Sequence, residues 1–409
     1  MKKIIYIIFI VIIGIFYFKT YHVKRFIEYD YDSKYNIVEL SNDFFKIDYN
    51  GKFGVMSNKG EILISPLFDT LILESNTNNV IVEKNKKFGL INSKNEIILE
   101  FEYDILTKLN NNYYKGIKNK EIFLISIGNK KIASYGKNKD IKFYNNKFFI
   151  LENEKIDVYN EELSLLTTYE GDNIFKINDK VLLLQKDKEF FLIYDKLILY
   201  HENIEQIFEE YIVVNSENTK QLKKIGESNP LLQGYSSIFM NTINSVIVEK
   251  NNNFGVVSLN NEIVIPINYT RITPFYQGYY GVEKNNTFYK KDNNGNLILE
   301  DEYKCGLIDE KGKEAIEVNY EAIINFNKYF AILLDKNSIK VIELENKKEI
   351  LSTDIGEIEI FDNDKIIFKE KDKILLYDKK GKIILTIKNE KIKFIQNNYI
   401  VTNKKIYSL

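Results

Sequence analysis

The chain of 409 residues has no tryptophan, one cysteine, two histidines and four prolines. The lone Cys305 rules out an intrachain disulfide, so an oxidising compartment is neither required nor excluded. His22 and His201 are the only histidines, so a clustered His/Cys metal site is excluded, although an all-oxygen calcium site is not. An excess of either charge is also missing. Lys plus Arg is 57 and Asp plus Glu is 58, a formal net charge of -1, which gives no global pull toward nucleic acid or anionic lipid. No GxxxxGK[ST], GxSxG or HExxH motif occurs. Heavy use of Ile, Lys and Asn matches an AT-rich genome.

What is present is enough for a core. The chain is 44% hydrophobic and 28% charged, outside the range of disordered tails, and its 14% of aromatics are all Tyr and Phe. Ile4 to Phe18, IIYIIFIVIIGIFYF, carries no charge and is flanked by Lys2, Lys3, Lys19, Lys24 and Arg25. As a helix it spans about 22 Å, short of a hydrocarbon core of roughly 30 Å, a gap that snorkelling lysines and an interfacial Tyr21 can close. A cleaved secretory signal is the rival reading, but FKTYHVKRF follows and lacks an A-x-A site. The expectation is an uncleaved signal anchor over residues 1–25, a tether over 26–43, and the bulk of the chain outside the cytoplasm.

From residue 44 to 409 the chain repeats itself. KFGVMSNKGEILISPLFDTL at Lys52, KFGLINSKNEIILEFEYDIL at Lys87, NFGVVSLNNEIVIPINYTRI at Asn253 and KCGLIDEKGKEAIEVNYEAI at Lys304 align without a gap. Gly54, Gly89, Gly255 and Gly306 share a column. Phe53, Phe88, Phe254 and Cys305 share the one before it, and Phe68, Tyr103, Tyr269 and Tyr320 another. Degenerate copies near Ile122, Ile156, Phe190, Leu222, Ile339 and Lys373 bring the count to about ten units of roughly 34 residues, with partial strands at each end. FYKKDNNGNLIL from Phe288 reads as an extra hairpin.

Each unit reads as short antiparallel strands joined by turns such as SNKG, where Gly or Asn takes positive φ. The glycine column marks a bulge or a close backbone approach, and Pro66 and Pro266 are expected to end a strand. No unit can bury its own apolar face, so neighbours must stack. The fold expected is all-β, in propeller-like blades, with an open β-superhelix as the alternative. FFKIDYNGK at Phe44 and KKIYSL at the C-terminus are expected to share one blade. The aromatic columns are expected to be largely buried, which would make Phe88→Ala cost about 3–5 kcal/mol.

The K-F-G phrase, its turn, and the later P-x-(F/Y) resemble the WG repeat family of bacterial proteins, with Phe or Cys standing at the Trp position. That resemblance implies an all-β repeat protein, often exported, and no defined activity. Glu83, Glu249 and Glu283 recur in one VEK context and read as a solvated, charge-paired strand face. His201 has no accompanying nucleophile motif. Cys305 sits in an aromatic column and reads as packing. Asp292 to Asn296, DNNGN, lacks the full spacing of a calcium loop and reads as a polar turn. No catalytic, cofactor or metal residue is therefore assigned, and no enzyme activity or cofactor is expected. The function expected is a membrane-anchored extracytoplasmic binding or scaffold module for a protein or glycan partner, with no nucleic-acid partner. A propeller-type enzyme with a loop-borne site and a purely structural envelope protein are the alternatives.

Overall fold

The computed structural model describes residues 27–408 other than 42–43, 75–76, 128–132, 136–138, 188, 195, 200–203, 241, 292–296, 355, 362–363, 371 and 397–398. The expected anchor, His22, His201 and the DNNGN stretch lie outside the described residues. Among the described residues every regular element is a strand, and no helix is long and apolar enough to cross a membrane.

The strands form eleven four-stranded antiparallel sheets, the blades of a propeller-type repeat. Blade 1 runs through Asn36–Ser41, Phe44–Tyr49, Lys52–Ser57 and Ile62–Phe68. Blade 2 runs through Thr70–Leu73, Asn79–Lys84, Lys87–Asn92 and Ile97–Tyr103. All ten sequence copies, strong and degenerate, supply the third strand of a blade, from Lys52–Ser57 to Lys373–Asp378.

The eleventh blade is built from both ends of the described chain. Ile392–Gln396, Tyr399–Thr402 and Lys405–Ser408 are completed by Ile27–Asp30, paired from Ile27↔Ser408 to Asp30↔Lys405. The shared blade was expected, but not its members. Phe44–Tyr49 is the second strand of blade 1, and the completing strand comes from the stretch read as a tether, 26–43, which also holds Asn36–Ser41. IEYD offers only four residues of alternation, too little to be read as a strand on its own. Next to it the Tyr31 hydroxyl donates to the Thr402 carbonyl at 2.7 Å in a buried contact.

Local chemistry explains the meander. The second and third strands turn on two residues of positive φ, such as Asn85–Lys86 and Asn251–Asn252, the backbone twist that two-residue hairpins need. At the next turn Gly60, Asn95, Asn261, Gly312 and Gly381 occupy one column, all at positive φ. Each donates its N–H to the carbonyl three residues back. Gly54 lies where the register between third and fourth strands slips, and a Cβ there would come 2.4 Å from the Ile64 carbonyl oxygen and 2.7 Å from the Pro66 nitrogen. Gly255 and Gly306 meet the same approach in their blades. Pro66 and Pro266 do not end their strands, contrary to expectation, because Ile62–Phe68 and Ile263–Tyr269 run through them. The bulge and the edge position of the fourth strand remove the need for their missing N–H.

Two compact units divide the chain. Among the described residues, one combines 27–101 with 369–377 and 383–408, and the other holds 102–368 and 378–382. In each the core is a series of layers between neighbouring blades. In the first, Val55, Ile64 and Phe68 of blade 1 pack on Leu71, Val80 and Val82 of blade 2. In the second, Val256, Ile265 and Tyr269 pack on Ile272, Tyr280 and Val282 of the following blade.

Candidate functional site

One row of residues crosses the strong copies of the repeat at the same level. In blade 7 (Ser237–Met240, Ser245–Lys250, Asn253–Ser258, Ile263–Tyr269) the row is Ser237, Glu249, Phe254 and Tyr269. In blade 2, Thr70, Glu83 and Phe88 stand in the same order. Blade 8 (Arg271–Ile272, Tyr279–Lys291, Leu297–Asp309, Glu314–Tyr320) reads Arg271, Glu283, Cys305 and Tyr320. The three recurring glutamates are therefore equivalent, half-buried positions spread over three blades, not one cluster. Two of them accept from a nearby threonine: the Thr70 hydroxyl donates to Glu83 Oε2 at 2.5 Å, and the Thr270 hydroxyl to Glu283 Oε1 at 3.5 Å.

The aromatic columns are buried unequally. Phe68, Tyr103 and Tyr269 are buried and Tyr320 is half-buried. Phe53, Phe88 and Phe254 are only half-buried, which corrects the expectation of a uniformly buried pair of columns. At Phe53 the reason is visible: the Lys46 ammonium lies 4.7 Å from the ring centroid, so that face is covered by a cation and not by core.

Blade 8 departs from this pattern. In blade 7, Phe254 packs against the cluster containing Ile272 of the next blade. Cys305, at the equivalent place, is too short to do so. A cavity of about 440 Å³ lies between it and the first strand of blade 9, Ala322–Phe326. Gly281, Val282 and Cys305 form part of its lining. Its polar residues include Arg271, Glu283 and Glu321, and its apolar ones Tyr276, Ile324 and Phe326. Tyr276 and Phe326 make an edge-to-face pair with centroids 5.9 Å apart, and Tyr276 is 56% exposed.

Arg271 is one of only two arginines in a chain that otherwise uses lysine, and it makes no ion pair among the described residues. A guanidinium offers a planar, bidentate donor that an ammonium does not. The thiol is not poised for attack. Cys305 Sγ lies 3.9 Å from the Glu321 carbonyl oxygen and 4.0 Å from Glu283 Oε2. Burial pushes its pKa up and Glu283 adds to this, outweighing the Ile323 backbone N–H and Arg271. The lining is thus suited to holding a group that is polar at one side and apolar at the other. Sequence reading placed Cys305 in the right column but missed Arg271, whose only signal was the rarity of arginine, and Glu321, which had none.

A second cavity, of about 500 Å³, lies between the fourth and fifth blades and includes Phe149, Tyr169, Lys180, Leu182 and Tyr194. Two of its polar groups are already engaged. Lys180 lies 3.4 Å from Glu209 and 3.8 Å from Glu210, and the Tyr194 hydroxyl donates to Glu210 at 2.9 Å.

Blade 8 also carries the expected hairpin. Its second and third strands, each 13 residues long, stay paired beyond the blade from Lys284↔Lys304 to Lys291↔Leu297. The outer strands of the blade pair only with residues at or inside Glu283 and Cys305, so among the described residues this ribbon has no flanking strand.

The WG containing repeat model matches residues 88–115, 254–288 and 306–333, so the chain carries WG repeats at these three segments. No curated protein matches the sequence. Among solved structures, one described as the crystal structure of the eukaryotic initiation factor is similar at 9% identity over 90% of this chain and 98% of that one, with a TM-score of 0.36. Kluyveromyces lactis Hsv2 is similar at 11% identity over 67% and 98%, with a TM-score of 0.28. Dihydro-heme d1 dehydrogenase NirN in complex with DHE is similar at 11% identity over 71% and 76%, with a TM-score of 0.24. At these scores none of them bears on function.

Proposed function

We propose that this WG-repeat chain is a membrane-anchored extracytoplasmic binding module, and that the cavity beside Cys305 receives a group from its protein or glycan partner. The observation that carries the reading is the cavity itself. It occurs where a repeat position occupied by phenylalanine in other strong copies is a cysteine, and it sets Arg271, Glu283 and Glu321 beside Tyr276 and Phe326. The stacked blades supply a rigid frame, and a site held by strands of two neighbouring blades needs little ordering when it binds. The anchor rests on the uncharged Ile4–Phe18 segment.

Three measurements test the proposal. Full-length chain is expected to stay in the membrane fraction at high salt, because apolar burial is not screened by ions. Protease added outside intact cells, or outside spheroplasts where an outer membrane exists, is expected to reach the repeats. Protection of the repeats would place the cavity on the cytoplasmic side and overturn the topology. Capture from envelopes should recover a protein or glycan with the native chain and lose it with Cys305→Phe. Equal recovery by both would remove the cavity from the reading.

A further inference from the structure

The row that crosses blade 8 differs from its equivalents at two places at once. The second-strand residue is an acid in every strong copy: Asp48, Glu83, Glu249 and Glu283. In blades 1, 2 and 7 its first-strand neighbour is small and polar, Asn36, Thr70 or Ser237, and its third-strand neighbour is phenylalanine. In blade 8 these two are Arg271 and Cys305. The exchange changes how the acid is held. In blade 2 the hydroxyl of Thr70, within the row, donates to Glu83 at 2.5 Å. The Glu283 carboxylate instead lies 3.5 Å from the Thr270 hydroxyl and 4.0 Å from the Cys305 thiol, at the outer limit of hydrogen bonding.

Arg271 and Glu283 are cross-strand partners, so their side chains share a face and stand within reach of one another. The first two strands of blade 4 close such a pair, Lys139 with Glu152 at 2.6 Å. Among the described residues neither Arg271 nor Glu283 makes an ion pair. The cavity wall therefore carries one cation and one anion that are left to solvent. Glu321, the third charged residue of the lining, is answered by a cation: the pKa of Lys304 is raised by its bond to Glu302 at 2.8 Å, and Glu321 adds to this.

We infer, resting on the reading of this cavity as the partner site, that it binds a zwitterion of the α-amino-acid kind, with the carboxylate on Arg271, the ammonium on Glu283 and an apolar arm toward Tyr276, Ile324 and Phe326. The paired charges select that class. A ligand with one charge satisfies one side chain and meets like charge at the other. A neutral sugar takes water from both and returns an opposite charge to neither, which is costly. Cross-strand partners start only about 5 Å apart, so the two charges of the ligand must also lie close together, as they do on one carbon atom. A guanidinium grips a carboxylate through two parallel bonds. The volume of about 440 Å³ is near the lower end of the range of about 300–1,000 Å³ for small-molecule sites, which suits a compact head group.

The test titrates the purified full chain in mild detergent with L-phenylalanine, phenylpropionate, phenylethylamine and N-acetylglucosamine, followed by ligand-detected NMR. Phenylalanine is expected to bind about tenfold or more tightly than either singly charged analogue, the loss that follows from removing one charged hydrogen-bond partner. Arg271→Gln should erase the preference over phenylethylamine and keep that over phenylpropionate, and Glu283→Gln should do the reverse, a split that general damage to the fold does not produce. Arg271→Lys, which keeps the charge, should retain part of the first preference. Failure of phenylalanine to bind overturns the proposal, as does equal binding of either analogue or tighter binding of the neutral sugar. Capture from envelopes separates this inference from the reading beneath it. A partner lost with Cys305→Phe but kept by both Arg271→Gln and Glu283→Gln leaves the cavity as the partner site and removes the zwitterion. Release of the captured partner by excess phenylalanine places the zwitterion on the partner, and retention while phenylalanine binds makes the free amino acid the ligand.

Discussion

Replacing Cys305 by phenylalanine puts back the ring that the other strong copies have. Fully burying a phenylalanine is worth about 1.5–3 kcal/mol. Phe53, Phe88 and Phe254 are only half-buried, so about half of that, near 1 kcal/mol, is the gain to expect at the equivalent place. The adjoining cavity of about 440 Å³ leaves room, so the usual penalty of about 1–3 kcal/mol for overfilling a packed core should not apply. Because repeat arrays open locally, amide hydrogen exchange is the appropriate assay. The Cys305→Phe chain should show slower exchange in Gly306–Asp309 and Ala322–Phe326, with distant blades unchanged. Faster exchange there would refute the argument, since it would mean that Cys305 already fills its place and the cavity cannot accept a ring.

Three further outcomes are expected. Phe88→Ala should cost about 1.5–2.5 kcal/mol, half the value for a fully buried ring, because Phe88 keeps a solvent-facing side; chemical denaturation of the blade 1–2 region measures it, and a loss of 4 kcal/mol or so would contradict the observed exposure. Gly255→Ala should destabilise by roughly 1–3 kcal/mol or more, since its Cβ would lie 2.6 Å from Ile267 Cγ1 and 2.8 Å from the Ile265 carbonyl oxygen, while Gly51→Ala, with nothing within 4 Å, meets no such clash and pays only for its positive φ. Burial, with Glu102 adding to it, pushes Tyr103 up to about 12. An unfolded tyrosine ionises near pH 10, so between pH 10 and 12 the unfolded chain has lost a proton that the folded chain keeps, and stability falls as pH rises through that window. Tyr103→Phe should flatten the fall, and an unchanged slope would show that other groups set it.

How far the sequence carries can be judged residue by residue. The glycine column was legible as a close backbone approach because no other residue type tolerates one, and Gly54, Gly255 and Gly306 each face the fourth-strand backbone. The turn column of Gly60, Asn95 and Gly312 was legible for the same kind of reason, since positive φ restricts the choice of residue. Those constraints are local and repeat once per blade, so even degenerate copies could be aligned and the WG resemblance recognised. The N-terminal strand was not legible. Ile27–Asp30 acquires its role only by pairing with Lys405–Ser408 at the far end of the chain, and four residues carry too little pattern to announce that. Pro66 was misjudged because whether a proline ends a strand depends on which edge lacks a partner.

The composition and periodicity of this chain thus determined its all-β class and its repeat unit, because each follows from contacts within a few residues. Only the tertiary structure decided which column is covered and which is open. Cys305 reads as packing in any alignment of the copies. It borders a cavity because the neighbouring blade brings Ala322–Phe326 to a distance set by its own strands, and a side chain that is too short cannot close that gap.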